Sequence, residues 1–518
     1  MIDLEDIFLG DTSAGLKGDS AKIAGGKLNR NKAKTQAALN ALTGLGLVKG
    51  STTTLPPGSQ FDFSLSGPGP VYALNMAVPG GAAGAGAPTS ADILALADRD
   101  DLLREIAGAG VPDRPIAILD FTRGAHWIKG VYAGASILAV IAALAGSGQF
   151  RASTATYFDS DGLMKTAAVN VPRIDYDPVT RICRGYLREP ARTNLALSNN
   201  FFVGGTVMPS WVSDVTMPAP DGSTADEVLV SGAWDTANAA GTRSNLKATA
   251  TVVADTTYTV TAYVRKKPGG ASGVQLRAFM PVGDATVLTF SVDDTNPQFV
   301  SGWYRLTGTF TPTVSGTMNI RMGTLASDDA PFYCWRRGLQ VEEGNAPSSL
   351  IFASSSTVTR AADAMWIGAS SWVNRVEGSV FVEFEAVTPA SGNEQAINLG
   401  TDTVSDFIRL YRTASTGNCY VRSLSGGVSQ VSTTSNMLWP STPAARVAMG
   451  WKVNDAAWAW EGTLAGSTSA YSVPLVIPTL NIANSNAINP VTIKRILIYP
   501  KRLSNAKLQA LTNQSLWS

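Results

Sequence analysis

Runs of side chains that alternate with a period of two constrain this chain more than any other feature. Around Thr257–Arg265, Tyr258, Val260, Ala262 and Val264 fall on one face of an extended strand, and Thr259, Thr261, Tyr263 and Arg265 on the other. The pattern returns at Met318–Met322, Gly378–Glu385, Phe407–Tyr411, Val447–Trp451 and Thr492–Tyr499. Strands of this kind bury one face by stacking sheet on sheet, so the expected fold class is mainly β, built from sandwiches. Composition agrees: 16% charged residues with 49 Gly and 27 Pro favours short strands joined by turns. A length of 518 residues suggests three or four domains at about 100–200 residues each.

The formal net charge is +1, so no basic field exists to hold nucleic acid or an anionic membrane by counterion release. Cys183, Cys334 and Cys419 are odd in number and far apart. They read as packing thiols of a chain folded in a reducing compartment, not as a disulfide framework or zinc site. The opening Met1-Ile2-Asp3-Leu4-Glu5-Asp6 is acidic where a signal peptide would be basic and apolar. The longest apolar run, Gly134 to Ala145, is shorter than the roughly 18 residues that a membrane span needs. It predicts a short buried helix, capped by Ser136 and stopped at Gly146. No membrane insertion and no cofactor are expected.

Other local elements are equally readable. Asp159-Ser160-Asp161-Gly162 predicts a tight turn between strands Ala155 to Phe158 and Leu163 to Ala167. The same four residues begin like a calcium loop but lack its downstream ligands, so no metal is expected. Thr89 and Ser90 begin a helix running to about Ile106, with Ile93, Leu96, Ala97 and Leu103 as its apolar face. Ser504 caps a last helix packed through Leu508 and Leu511, and Trp458 and Trp460 share one face of a strand.

Three stretches carry a resemblance. They are Phe150-Arg151-Ala152-Ser153-Thr154-Ala155-Thr156-Tyr157-Phe158-Asp159-Ser160-Asp161-Gly162-Leu163, then Asn170-Val171-Pro172-Arg173-Ile174-Asp175-Tyr176-Asp177-Pro178, then Glu189-Pro190-Ala191-Arg192-Thr193-Asn194. Together they resemble the linker of tailed-bacteriophage fibre and virion structural proteins. Thr357-Val358-Thr359-Arg360-Ala361-Ala362-Asp363 resembles the junction closing the module that follows it there. Between them, Gly302-Trp303-Tyr304-Arg305 and Leu339-Gln340-Val341-Glu342-Glu343-Gly344 resemble a jelly-roll carbohydrate-binding module. Asn454-Asp455 and Gly462 resemble the hairpin of a concanavalin or laminin-G-like domain. Gly18, Asp19, Ala24, Lys27, Leu28 and Asn29 resemble a segment near the start of phage fibres and imply virion attachment.

The resemblance implies five segments. Residues 1–50 are a helical attachment segment, 51–115 a Gly/Ala/Pro-rich spacer with a short helix, and 116–194 a small α/β linker domain. Residues 195–360 are a carbohydrate-binding-module-like sandwich, and 361–518 a concanavalin or laminin-G-like sandwich. The implied protein is a non-enzymatic fibre or spike subunit, a homotrimer assembled in the host cytoplasm, released by lysis and located on the virion. Its implied partners are other virion proteins and host cell-surface polysaccharide. Rival readings are a structural collar, baseplate or decoration fibre, and a polysaccharide-degrading tailspike.

Sugar binding needs aromatic platforms beside groups that meet hydroxyls. Turn-rich stretches supply Trp234 with Asp235, Trp372 with Asn374, and Trp439. Catalysis finds less support. Carboxylate pairs Asp293-Asp294, Asp328-Asp329 and Glu342-Glu343 are adjacent in sequence, which on a strand points them to opposite faces. Gly18-Asp19-Ser20 matches an esterase nucleophile block, but the sole His, His126, lacks the expected context. No catalytic residues are assigned.

Overall fold

In the computed structural model, residues 48–55, 62–66 and 73–79 are described as strands. Residues 90–517 are described except 198–211, 214–215, 224–227, 232–245, 267–272, 280–283, 292–298, 300–301, 325–331, 354, 387–393, 401–404, 413–418, 433–443 and 484–489. The attachment residues Gly18, Asp19, Ala24, Lys27, Leu28 and Asn29 lie outside the described residues. The chain is mainly β, with antiparallel sheets stacked as sandwiches.

The first three strands pair in the order Val48–Leu55, Ala73–Pro79, Asp62–Ser66, with the first pair parallel. Thr52, Thr53 and Thr54, read as linker in sequence, lie in the first strand, as β-branched residues favour. Helix α1 follows at Ser90–Gly108. Its buried contacts are Leu102 and Ile106, with Leu103 at the edge of the stripe.

One sandwich is discontinuous in sequence. Its larger sheet has ten strands, and at its centre Val491–Tyr499 pairs with Glu377–Ala386 on one side. On the other side the same strand pairs first with Cys183–Arg188 and then with Ala117–Asp120. Ala125–Ile128 and Tyr132–Gly134 extend that edge, and Gly148–Phe150 adds to the facing seven-stranded sheet beside Ala364–Gly368. Thus most strands of 116–194, expected to form a linker domain of their own, are built into the C-terminal sandwich; the 155–167 hairpin and Arg192–Asn194 pair outside its two sheets. At Gly185 the two segments meet closely: its φ is +105°, and an added Cβ would stand 2.2 Å from the Ile493 carbonyl.

Between the two sheets lies the largest core, including Leu119, Ile128, Val382, Leu399, Leu410, Trp451, Leu480 and Ile496. Helix α2, Ile137–Ala143, closes one end. Ser136 accepts its cap bond from Ala139 N at 3.2 Å, and Gly146 takes a positive φ beyond the last turn. On the outer face of the larger sheet, Leu102 and Ile106 of α1 pack with Leu508 and Leu511 of α3, Asn505–Thr512. The expected Ser504 cap forms, accepting from Lys507 N. Trp458 and Trp460 share the inward face of Asp455–Trp460, and Ala457 and Ala459 the outward one.

The other sandwich is inserted into this one. Its entry, Arg192–Asn194, and exit, Val358–Arg360, pair antiparallel as a two-stranded neck. A six-stranded sheet, including Tyr258–Lys266, Tyr304–Phe310 and Phe332–Trp335, faces a four-stranded sheet of Leu246–Val252, Gly316–Thr324, Gly273–Phe279 and Asp284–Ser291. Val260, Ala262, Val264, Leu306, Met318 and Ile320 fill the space between. The second face of Tyr258–Lys266 is buried too: Tyr263 joins Trp303, Trp335, Phe299, Leu350 and Met164 of the 155–167 hairpin. That hairpin forms as expected, with Gly162 at φ +75°.

Three tryptophans lie across a glycine of the neighbouring strand: Trp451 over Gly378, Trp458 over Gly466, and Trp366 over Gly148. At Gly378 an added Cβ would stand 2.3 Å from the fully buried Trp451 ring. Gly378→Ala should therefore lower stability by about 1–3 kcal/mol, read as a fall in thermal midpoint.

Candidate functional site

A dense constellation of functional groups lies where the inserted sandwich leaves and rejoins the other. It is assembled from the stretches 150–163, 170–178, 189–194 and 357–363. Arg151, Arg173 and Arg360 converge there on Glu189 and Asp363, all five buried.

Each side chain is held by its local strand or turn. Arg173 sends Nη1 to Glu189 Oε2 at 2.6 Å, to the Thr156 carbonyl at 2.9 Å and to Ser349 Oγ at 2.9 Å. Its Nη2 donates to Asp363 Oδ2. Arg151 Nη1 reaches Asp363 Oδ1 at 3.0 Å, while its Nε and Nη2 donate to the Ser153 and Ala168 carbonyls. Arg360 Nη1 reaches Glu189 Oε2 at 2.7 Å, and Nη2 the Pro190 carbonyl at 2.6 Å. Backbone amides close the network: Glu189 N donates to Asp363 Oδ2 and Ser349 N to Glu189 Oε1. Three guanidiniums and two carboxylates leave one positive charge over. Asp175 lies nearby, accepting from Phe158 N at 2.8 Å, with Arg184 Nη1 3.9 Å from Oδ2.

Burial and charge pull against each other here. Burial alone would raise the Glu189 pKa, but Arg360, Arg173 and the Ser349 bonds bring it down to about 2. Burial likewise opposes the charge on Arg173, and Asp363 and Glu189 outweigh it, raising that pKa. Asp175 has weaker compensation, and burial pushes it up to about 6. Arg360 is lowered, by burial first and by Arg173 against the pull of Glu189.

The neck is satisfied by two further side chains. Asn194 donates to the Leu339 and Ile351 carbonyls and accepts from Ala196 N and Val341 N. Glu342 accepts from Gln340 Nε2, Ser348 N and Ser348 Oγ, so this buried carboxylate is fully engaged. Its neighbour Glu343 is exposed, and the two do not form a catalytic pair. Asp293, Asp294, Asp328 and Asp329 lie outside the described residues.

Of the glycan candidates, Trp234, Asp235 and Trp439 also lie outside the described residues. Trp372 is half-buried against the main core, and its indole N–H donates to the Gly368 carbonyl at 2.6 Å. Asn374 is exposed, donating to the Pro500 carbonyl at 3.3 Å and accepting from Val376 N. Both therefore hold a turn against the sandwich. His126 is buried with its ring 5.1 Å from Phe121, and burial lowers its pKa to about 4. Asp159 Oδ1 accepts from the amides of Asp161 and Leu163, serving the hairpin turn. Among the described residues, no three His, Cys, Asp or Glu side chains gather as a metal set. No helix there is long and apolar enough to cross a membrane.

No protein-family model matches the chain, and no curated protein does. Among solved structures it is similar to the CBM40 of a Ruminococcus gnavus IT-sialidase bound to alpha2,3 sialyllactose. That match has 15% identity, covers 26% of this chain and 82% of that one, and has a TM-score of 0.22. It is also similar to the botulinum neurotoxin serotype D binding domain, at 14% identity over 29% of this chain and 40% of that one, TM-score 0.25. A third is Trypanosoma rangeli sialidase with the inhibitor DANA, at 13% identity over 30% and 28%, TM-score 0.23. The chain thus spans less than half of the latter two. These neighbours are β-rich and include carbohydrate-binding modules; what this chain can bind is defined by its own side chains.

The network makes two predictions. Glu189→Gln leaves Arg173 and Arg360 undercompensated and should cost about 3–5 kcal/mol of stability, measured by denaturant unfolding at pH 7. In the unsubstituted chain the Glu189 contribution is complete above the ordinary 4.5 and drains away as pH falls toward about 2. Asp175 has the opposite sign: its burial penalty grows as pH rises from 3.8 through about 6. Asp175→Asn keeps the acceptor for Phe158 N and should flatten stability between those pH values, which unfolding curves at pH 4, 5, 6 and 7 would read.

Proposed function

We propose that the chain is a non-enzymatic subunit of a bacteriophage fibre or spike, attached to the particle through Gly18–Asn29 and presenting both sandwiches to glycan on the host surface. The observation supporting this reading is the shared destination of the linker pattern. Arg151, Arg173, Glu189, Arg360 and Asp363, dispersed over more than two hundred residues, meet in one buried network, and Asn194 fastens the adjoining neck to Leu339, Val341 and Ile351. The pattern is thus an architectural device for holding one sandwich on another, which suits a rigid display element. Trimeric assembly would add avidity by presenting several weak sites together.

A structural fibre working through protein contacts is the second reading, and one observation favours it. Phe150, Val169, Val171, Val179 and Ile182 are exposed, with Phe150 at 52% and Ile182 at 67%. These residues suit contact with sister subunits or another virion protein.

The test is binding of the full-length assembled chain to intact host cells, before and after stripping of surface polysaccharide. A fragment beginning at residue 195 would lack the strands that complete the C-terminal sandwich. Binding should disappear on stripping, and Trp234→Ala or Trp439→Ala should weaken it by about tenfold. Binding that survives stripping would favour the structural reading.

A further inference from the structure

The three-stranded sheet that precedes α1 is joined to no other sheet among the described strands. Its registers sort the residues by face. Phe63 pairs with Met76 and Leu65 with Leu74, and Val78 stands two positions beyond Met76, so these five positions share one face. The intervening positions Asp62, Ser64, Ser66 and Asn75 share the other face with Ala73 and Ala77. The parallel strand Val48–Leu55 adds Lys49, Thr52 and Thr54 to the apolar face, in register with Leu74, Met76 and Val78.

A sheet divided in this way is stable only against a cover. Three short strands bury little by themselves, and their stability depends on an apolar face being packed away from water. Two features of the face select what covers it. It is self-complementary: Lys49 is the one charged residue that register places on it, and it lies on an outer strand, where a lysine stem can follow apolar surface with its ammonium in water. Stacking the face on its own copy therefore buries no pair of like charges. It is also large enough, since covering five such side chains removes roughly 500 Å² per copy from water, more than half of the roughly 800 Å² per partner in a standard interface.

We propose that copies of this chain meet through this face, the sheet of one copy stacking on that of a second. The inference deepens the oligomeric part of the reading above and stands apart from its glycan-binding part. It assigns assembly to residues 48–79, ahead of α1 and outside both sandwiches, so the sandwiches of each copy stay available for other contacts.

Sedimentation equilibrium of the full-length chain tests it, with Met76→Asp and Asn75→Asp compared with the unsubstituted protein. The two substitutions put the same charge at adjacent positions of one strand, on opposite faces of the sheet. The unsubstituted chain should be oligomeric, and Met76→Asp should weaken self-association by about a hundredfold or more. Asn75→Asp and Met76→Leu should each leave it within about threefold, with thermal melting of the sandwiches the same in all four proteins. A monomeric unsubstituted chain, self-association untouched by Met76→Asp, or equal weakening by the two aspartates would overturn the proposal. The cell-binding test above reads glycan recognition independently, so the failure of one is distinguishable from the failure of the other.

Discussion

The five-membered ion network of Arg151, Arg173, Arg360, Glu189 and Asp363 is the constraint on which the arrangement of this protein depends. Charges removed from water are costly unless geometry and hydrogen bonding compensate fully. Here compensation requires four separate stretches of chain to be in place at once. The Arg173 guanidinium bridges both carboxylates, Arg360 ties Glu189 to the exit strand, and Arg151 ties Asp363 to the edge of the seven-stranded sheet. If one stretch is displaced, the remaining groups stay buried without partners. The joint is therefore conformationally specific even where its net contribution to stability is small.

A second ionic feature follows the same logic within one sheet. Asp120, Arg495, Glu383 and Arg446 are register neighbours across four strands, alternating in sign and all buried. The Arg495 guanidinium lies 4.4 Å from the centroid of the Trp517 ring, which itself stacks on Phe381. Opposite charges in register favour this strand order over its alternatives. They help explain how Ala117–Asp120 finds Val491–Tyr499 across most of the chain.

Much of the local structure was legible from sequence. The period-two runs became strands, Asp159–Gly162 became a turn, and Ser136 and Ser504 became caps, because each depends on neighbours a few residues away. Pairing partners were not legible. A strand's pattern reveals which face is apolar but not which distant strand lies beside it, so residues 116–194 read as a separate domain. The ion network was hidden for the same reason: Arg173 and Asp175 lie in a short strand-and-turn pattern, and nothing local shows that Arg173 meets Asp363. Trp372 illustrates the converse, since a tryptophan in a turn-rich stretch suggested exposure while its ring packs inward.

The central claim is that the buried network makes the joint between the sandwiches as solid as their cores. Amide hydrogen exchange at Phe158, Glu189, Ser349 and Asp363 tests it most directly. The first three donate into Asp175, Asp363 and Glu189 respectively, and the fourth donates to the Glu189 carbonyl. The account predicts that these four amides exchange as slowly as those of Val380–Phe384 in the central sheet, opening only with global unfolding. Exchange as fast as that of exposed turns, with the core strands still protected, would show that the joint opens by itself and would contradict it.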